Sequence, residues 1–126
     1  MLTITPRTKI LLVTGATDMR KQFDSLAAIV SGELERDPYA GHLYVFCNRI
    51  RNRLKLLWWD RSGFWVLARR LEKGTFNWPS SPERTIDMTP EELALIIGGI
   101  DLRGAKRRRW YERPDQPKRQ TLVSSR

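Results

Sequence analysis

The stretch "HLYVFCNRIRNRLKLLWWDRSGFWVLARRL", residues 42–71, indicates a β-sheet, because short apolar runs alternate in it with turn-forming residues. Three runs rich in β-branched and aromatic residues, which favour strands, occupy residues 42–48, 53–60 and 64–71. The last two flank "DRSG", where Gly63 suits the left-handed position of a hairpin turn closed by a bulge. The pattern predicts an antiparallel meander of three strands.

Both faces of this predicted sheet are apolar. Along residues 53–60, leucines and tryptophans occupy successive positions, so that neither face of the strand is polar. Such a sheet must be covered on one face and at least partly on the other. We therefore expect Trp58, Trp59 and Trp65 to lie mainly in the core.

Residues 18–36 are predicted to form a long helix that covers one face. Its apolar residues recur at steps of three and four, namely Met19, Phe23, Leu26, Val30 and Leu34. Asp18 or Thr17 is expected to cap the first turn, and Pro38 ends the helix.

A second, shorter helix is predicted after residue 89. Thr89 is expected to be its N-cap, Pro90 its first residue and Glu92 the partner that closes a capping box. Short strands are predicted over residues 8–15 and 85–88.

These elements predict an α+β fold. A small antiparallel sheet, made of the 42–71 meander and an N-terminal strand, is packed by one long helix and one short C-terminal helix. Residues 1–102 are expected to form a single domain. Residues 103–126 are expected to be a basic tail that is largely disordered on its own.

The net charge of +9 is concentrated in that tail. Residues 103–126 hold nine of the 23 Lys and Arg residues but only two of the 14 Asp and Glu residues, a net charge of +7. A basic tail on a balanced body is typical of proteins with a polyanionic partner, most often nucleic acid, although it can also serve solubility or contact an acidic protein.

Composition also limits cofactors and location. His42 and Cys47 are the only histidine and cysteine, so they cannot make a zinc site, and a single cysteine cannot form an internal disulfide. A nucleophilic triad is not expected either. We expect no metal, no cofactor, no small-molecule substrate and no catalytic residue. No apolar run reaches the length of a membrane span, and no signal peptide is evident, so a cytoplasmic location is expected.

The cations of the body are the candidate binding residues. If the chain is extended through "NRIRNRLK", Arg49, Arg51, Arg53 and Lys55 point the same way and can contact phosphates. If the chain turns there, the same cations fan out around a loop tip. The full candidate set for nucleic-acid binding is Arg49, Arg51, Arg53, Lys55, Arg69, Arg70, Lys106, Arg107, Arg108 and Arg109.

Several blocks of the chain together resemble one known family. The blocks "TDMRK", "GHLYVF", "LKLLWWD", "GFWVLARRLEKGTF" and "MTPEELALIIGGID" are similar, in order and spacing, to the accessory protein TnpB of the insertion sequence 66 family of bacterial transposons. The resemblance implies a protein that acts with a larger DDE-type transposase, which itself cleaves and joins strands. It implies no catalytic residue for the accessory protein.

Charge and resemblance together lead to two hypotheses. The first is a non-enzymatic transposition accessory protein that binds transposon ends mainly through the phosphate backbone, and is therefore associated with the nucleoid. The second is an interaction module that docks on the transposase without touching DNA. A small Mg²⁺ nuclease is disfavoured, because no spacing of carboxylates proposes one.

Overall fold

The computed structural model describes residues 8–98. Five strands are present, β1 (Ile10–Ala16), β2 (Leu43–Cys47), β3 (Arg53–Trp59), β4 (Phe64–Arg70) and β5 (Thr85–Met88). Two helices accompany them, α1 (Phe23–Ala28), which continues into a π-helical turn (Ile29–Glu33), and α2 (Pro90–Ile97). The predicted α+β class and the β2–β3–β4 meander are confirmed. No helix within residues 8–98 is long and apolar enough to cross a membrane.

The sheet is mixed, and in this respect the prediction of an antiparallel sheet was wrong. The strand order is β4-β3-β2-β1-β5, and β1 pairs with β2 in parallel whereas all other pairs are antiparallel. The connection from β1 to β2 contains α1, and a helical crossover is what allows two consecutive strands to run parallel. The register of β1 with β2 is irregular between Leu12 and Ala16.

The first helix is shorter than predicted. Asp18 does not cap it, because its carboxylate accepts a hydrogen bond from the Arg20 backbone N–H at 2.9 Å and closes a local turn. The helix begins instead after Gln22, whose backbone N–H donates to the Ser25 hydroxyl at 3.0 Å. It ends in the π-helical turn, beyond which Glu35 has a left-handed φ of 54°. The predicted long helix is therefore only the segment 23–33.

Each face of the sheet has its own core. On one face, Phe76 from the segment after β4 and Leu93 and Ile96 from α2 pack on the sheet. The buried sheet residues of this core are Ile10, Leu12, Leu43, Val45, Cys47, Leu54 and Leu56. On the other face, α1 and its π-helical turn pack on the sheet. The buried helical residues of this core are Leu26, Ala27, Ile29 and Val30, and the buried sheet residues are Leu11, Val13, Tyr44, Phe46 and Leu57. The uniformly apolar strands are explained by this double cover.

The predicted start of α2 is confirmed. The Thr89 hydroxyl accepts from the Glu92 backbone N–H at 3.1 Å, and the Glu92 carboxylate accepts from the Thr89 backbone N–H at 2.9 Å. Pro90 is the first helical residue. This capping box satisfies two backbone donors that the helix itself leaves unpaired.

The β3–β4 turn differs from prediction in one residue. The left-handed conformation belongs to Arg61, with φ of 87°, and not to Gly63. Asp60 compensates for the strain, since its Oδ1 accepts from the backbone N–H groups of Ser62 at 2.9 Å and Gly63 at 2.8 Å. These bonds close the turn without requiring glycine's freedom at Gly63.

The tryptophans of the meander divide between core and edge. Trp58 packs against the α2 side of the core and donates its indole N–H to the Gly41 carbonyl at 3.2 Å. Trp59 is half-buried, and its ring lies edge-on to Tyr39 with 4.9 Å between ring centroids. Trp65 remains 40% exposed, so its assignment to the core was wrong. The reason is its place on β4, which is an edge strand.

Candidate nucleic-acid interface

A tightly bonded turn of residues 48–53, called here the basic turn, joins β2 to β3. Asn48 organises it. Its Oδ1 accepts from the backbone N–H groups of Asn52 and Arg53, each at 3.0 Å, and its Nδ2 donates to Asn52 Oδ1 at 2.8 Å. Because β1 and β2 run parallel, the basic turn lies at their carboxyl ends, where open α/β sheets commonly bind ligands.

Arg51 anchors the basic turn to the rest of the sheet. Its backbone is left-handed, with φ of 63°, and its guanidinium donates to the carbonyls of Asn48 and Thr14, both at 3.2 Å. The guanidinium also lies 5.8 Å from the ring centroid of Trp78. The Arg51 carbonyl accepts from the Phe76 backbone N–H at 2.7 Å. Arg51 therefore has a structural use that "NRIRNRLK" did not reveal.

The residues that project outward are Arg49, Ile50 and Arg53. All three are exposed, and neither arginine side chain makes a hydrogen bond or ion pair within residues 8–98. The alternative in which "NRIRNR" forms a turn is thus the observed one. Two cations remain at the tip, available for an anionic partner.

An open groove separates the basic turn from the loop that follows β1. It has a volume of about 570 Å³ and is lined by Ala16, Thr17, Asp18, Met19, Asn48, Arg49, Ile50, Asn52 and Arg53. Across the groove, the carboxylate of Asp18 pairs with Arg20 at 2.7 Å. Hydrogen bonds from the side chain and then the backbone of Arg20 lower the pKa of Asp18 to about 2.

The remaining candidates in the body are divided between two faces. Lys55 is buried on the α1 side, where its ammonium donates to the Lys21 carbonyl at 2.8 Å. Arg70 is opposite Arg53 in the register of β3 with β4, and it pairs with Glu72 at 3.0 Å. The side chains of alternate residues on a strand point to opposite faces, so Arg69 lies on the α2 side.

Arg69 contacts the end of α2. Its Nη1 donates to the Ile97 carbonyl at 2.9 Å. The carbonyls of the last helical turn have no partner within the helix, so this cation pairs with one of them. The six candidates of the body therefore do not form one patch. Arg49 and Arg53 lie together at the tip, and Arg70 pairs with Glu72. Lys55, Arg51 and Arg69 donate hydrogen bonds to backbone carbonyls. The tail candidates Lys106 to Arg109 lie outside the described residues.

No cluster of three potential metal-binding side chains is present within residues 8–98. His42 Nδ1 accepts from the Lys9 backbone N–H at 3.3 Å, and burial is the main cause that lowers the His42 pKa. Burial likewise raises the pKa of the Cys47 thiol. Both side chains are accounted for by packing at the sheet.

A second exposed surface lies on the edge strand β4. Trp65 is 40% exposed and Leu67 39%, both on the α2 side of the strand. The register of β4 with β3 is regular over all seven residues, so no bulge protects this edge. A regular edge strand with exposed apolar side chains can accept a strand from a partner.

Sequence reasoning missed two residues of the tip. Asn48 was not recognised as the organiser of the turn, and Ile50 was not singled out. The signal was the pair of asparagines that bracket "NRIRN", because asparagine side chains commonly hydrogen-bond backbone groups a few residues onward.

Comparison with known proteins supplies the family. The family model described as "IS66 Orf2 like protein" matches residues 8–107. Two proteins of Sinorhizobium fredii are similar. The protein y4hO is 39% identical over 95 residues, which cover 75% of this chain and 83% of y4hO. The protein y4jC is 34% identical over 100 residues, covering 79% of this chain and 86% of y4jC.

No solved structure matches the chain significantly. The family match nevertheless extends over most of the sequence and includes every described strand and helix. It confirms the resemblance found in the sequence blocks, and it supports an accessory role in transposition. The chain belongs to the IS66 Orf2-like family, the TnpB accessory proteins of insertion sequence 66 elements.

Proposed function

We propose that the protein is a non-enzymatic accessory factor that binds DNA through its basic turn and acts with the DDE-type transposase of its element. The observation that carries the proposal is the pair Arg49 and Arg53. Both are exposed, without an ion pair among residues 8–98, and held on a turn whose backbone Asn48 fixes. On this proposal the protein acts in the cytoplasm on nucleoid DNA.

Such a site contacts phosphates and carries little sequence information. Arginine side chains at a tip can reach the backbone of a duplex and release its condensed counterions, so affinity falls steeply with salt. Arg70 is opposite Arg53 in the strand register, but it pairs with Glu72 at 3.0 Å, so Arg49 and Arg53 carry the proposed contacts of the body. The tail cations Lys106, Arg107, Arg108 and Arg109 are proposed to add contacts to neighbouring phosphates.

A salt titration of DNA binding tests the proposal. Fluorescence anisotropy with a duplex of the element's terminal repeat compares the wild type with the double variant Arg49→Glu/Arg53→Glu. The control is Arg36→Glu/Arg61→Glu, which makes the same charge change at exposed positions before β2 and in the β3–β4 turn, away from the basic turn. Each lost phosphate contact should reduce the slope of log affinity against log salt by about 0.9.

In the basic-turn variant, log affinity should fall less steeply with log salt, with the magnitude of the slope smaller by about two. In the control variant, the slope should be nearly unchanged. Neutralising the tail in the full chain, by changing residues 106–109 to glutamine, should lower the slope further. The proposal fails if the wild type does not bind the duplex at low salt, or if both double variants lose the same affinity.

Docking on the transposase without DNA contact is the alternative, and the exposed edge of β4 favours it. An apolar, regular edge strand can be extended by a strand of the partner. Leu67→Lys places a charge at the centre of β4 and should weaken transposase binding while leaving the salt slope for DNA unchanged. If the chain binds transposase but not DNA, this alternative replaces the proposal.

A further inference from the structure

Ile50 is the most exposed large hydrophobic side chain of the described residues. It is 66% exposed, compared with 57% for Tyr39 and 46% for Phe23. It lies in the basic turn directly after Arg49 and lines the groove that faces Met19. A single exposed apolar residue is ordinary on a protein surface, so its position must supply the argument.

The turn does not require isoleucine. Turns favour Gly, Asn, Asp and Ser, each of which helps the backbone, whereas a β-branched residue has no advantage there. Asn48 Oδ1 accepts the hydrogen bonds that form the turn, and the left-handed position is occupied by Arg51. Ile50 contributes to neither core of the sheet. The Ile50 side chain is therefore available to contact a binding partner.

The tip is also held in place. The carbonyl of Asn52 accepts from the Leu71 backbone N–H at 2.8 Å, and that of Arg51 accepts from Phe76 at 2.7 Å. The Arg51 guanidinium adds its contact with the Thr14 carbonyl on β1. A tip bonded to β1 and to the segment after β4 presents its side chains without a large loss of conformational entropy on binding.

An apolar side chain on a fixed tip between cations matches the chemistry of a base-step wedge. Proteins that kink DNA from the minor groove insert such a side chain between two base pairs, and they place arginine or lysine side chains in the groove beside it. Arginines can also contact the phosphates that flank such a step. Resting on the proposed function, we propose that Ile50 inserts at a base step from the minor groove and bends the duplex, with Arg49 and Arg53 on the flanking phosphates.

Bending and affinity can be measured separately. A duplex of about 30 bp with a fluorescence donor and acceptor at its ends reports the bend, and a central TA step makes the kink easiest. The wild type at saturation should shorten the end-to-end distance. Ile50→Ala should abolish the shortening and reduce affinity by about tenfold or less, with its salt slope unchanged because the phosphate contacts remain. Ile50→Leu, which keeps an apolar wedge, should still bend the duplex.

The matched control is Leu67→Ala, which removes a different exposed apolar side chain, on β4. It should bend DNA as the wild type does. Thermal melting of each variant checks that the fold is intact.

The wedge is overturned if the wild type binds without bending the duplex, or if Ile50→Ala bends it as strongly as the wild type. In both cases the salt slope and its loss in Arg49→Glu/Arg53→Glu would still support the proposed function. Absence of wild-type binding at low salt would overturn both proposals.

Discussion

Replacing Asn48 with alanine should destabilise the whole domain, although the residue is only half-buried. Besides a weak hydrogen bond accepted from the Cys47 thiol at 3.9 Å, its side chain makes three hydrogen bonds, two from backbone N–H groups and one to Asn52 Oδ1, at 2.8 to 3.0 Å. A hydrogen bond of this kind contributes a net stability of about 1 kcal/mol, so Asn48→Ala should cost about 2–3 kcal/mol. For a domain of this size that corresponds to a lower melting temperature by about 10–20 °C.

Two variants separate the three bonds. Asn48→Asp keeps the oxygen that accepts from both backbone N–H groups and loses only the donor to Asn52, so about 1 kcal/mol should be lost. Asn52→Ala also removes that side-chain bond and leaves the two backbone bonds intact. Urea unfolding followed by tryptophan fluorescence gives the free energies of unfolding.

The expected order of stability is wild type, then the two single-bond variants, then Asn48→Ala. The reasoning is refuted if Asn48→Ala loses less than about 0.5 kcal/mol, since water would then replace the side chain at no cost. It is equally refuted if Asn48→Asp is as unstable as Asn48→Ala, because the backbone bonds would then not be the source of the stability.

Three further predictions concern other parts of the fold. Tyr44 is 1% exposed, and its hydroxyl has no hydrogen-bond partner within the described residues. Tyr44→Phe should therefore raise the free energy of unfolding by about 1 kcal/mol. A clear decrease in that free energy would contradict this prediction and indicate that a bound water satisfies the hydroxyl. Thr89→Ala should lower the free energy of unfolding by about 1 kcal/mol, because the capping box is lost, whereas Thr89→Asp should retain most of the wild-type stability. Hydrogen bonds from the Ser62 backbone, the Trp65 indole and the Gly63 backbone lower the pKa of Asp60 from 3.8 to about 2. The stability that the Asp60 carboxylate contributes is therefore complete above pH 3.8 and lost as the pH falls through about 2. In Asp60→Asn, the free energy of unfolding should depend less on pH over that range.

Periodicity along the chain was enough for the elements but not for their arrangement. The meander, the α2 cap at Thr89 and the short strand β5 were predicted because each depends on neighbours within a few residues. The parallel pairing of β1 with β2 was missed, since it depends on how a whole crossover folds back on the sheet. The length of α1 was overestimated because Asp18 bonded to a local turn in preference to the helix.

The candidate site shows the same division. Composition and motifs are properties of the chain. They were enough to show that cations gather near residues 49–55, that the tail is basic, and that the chain resembles insertion sequence 66 accessory proteins. Which of these cations remain available for a partner depends on contacts that form only in the folded domain. Lys55, Arg51 and Arg69 reach carbonyls on distant segments, whereas Arg49 and Arg53 do not. A charge becomes a binding group or a structural one according to which unpaired carbonyls the fold brings within its reach, and no spacing along the chain encodes that distance.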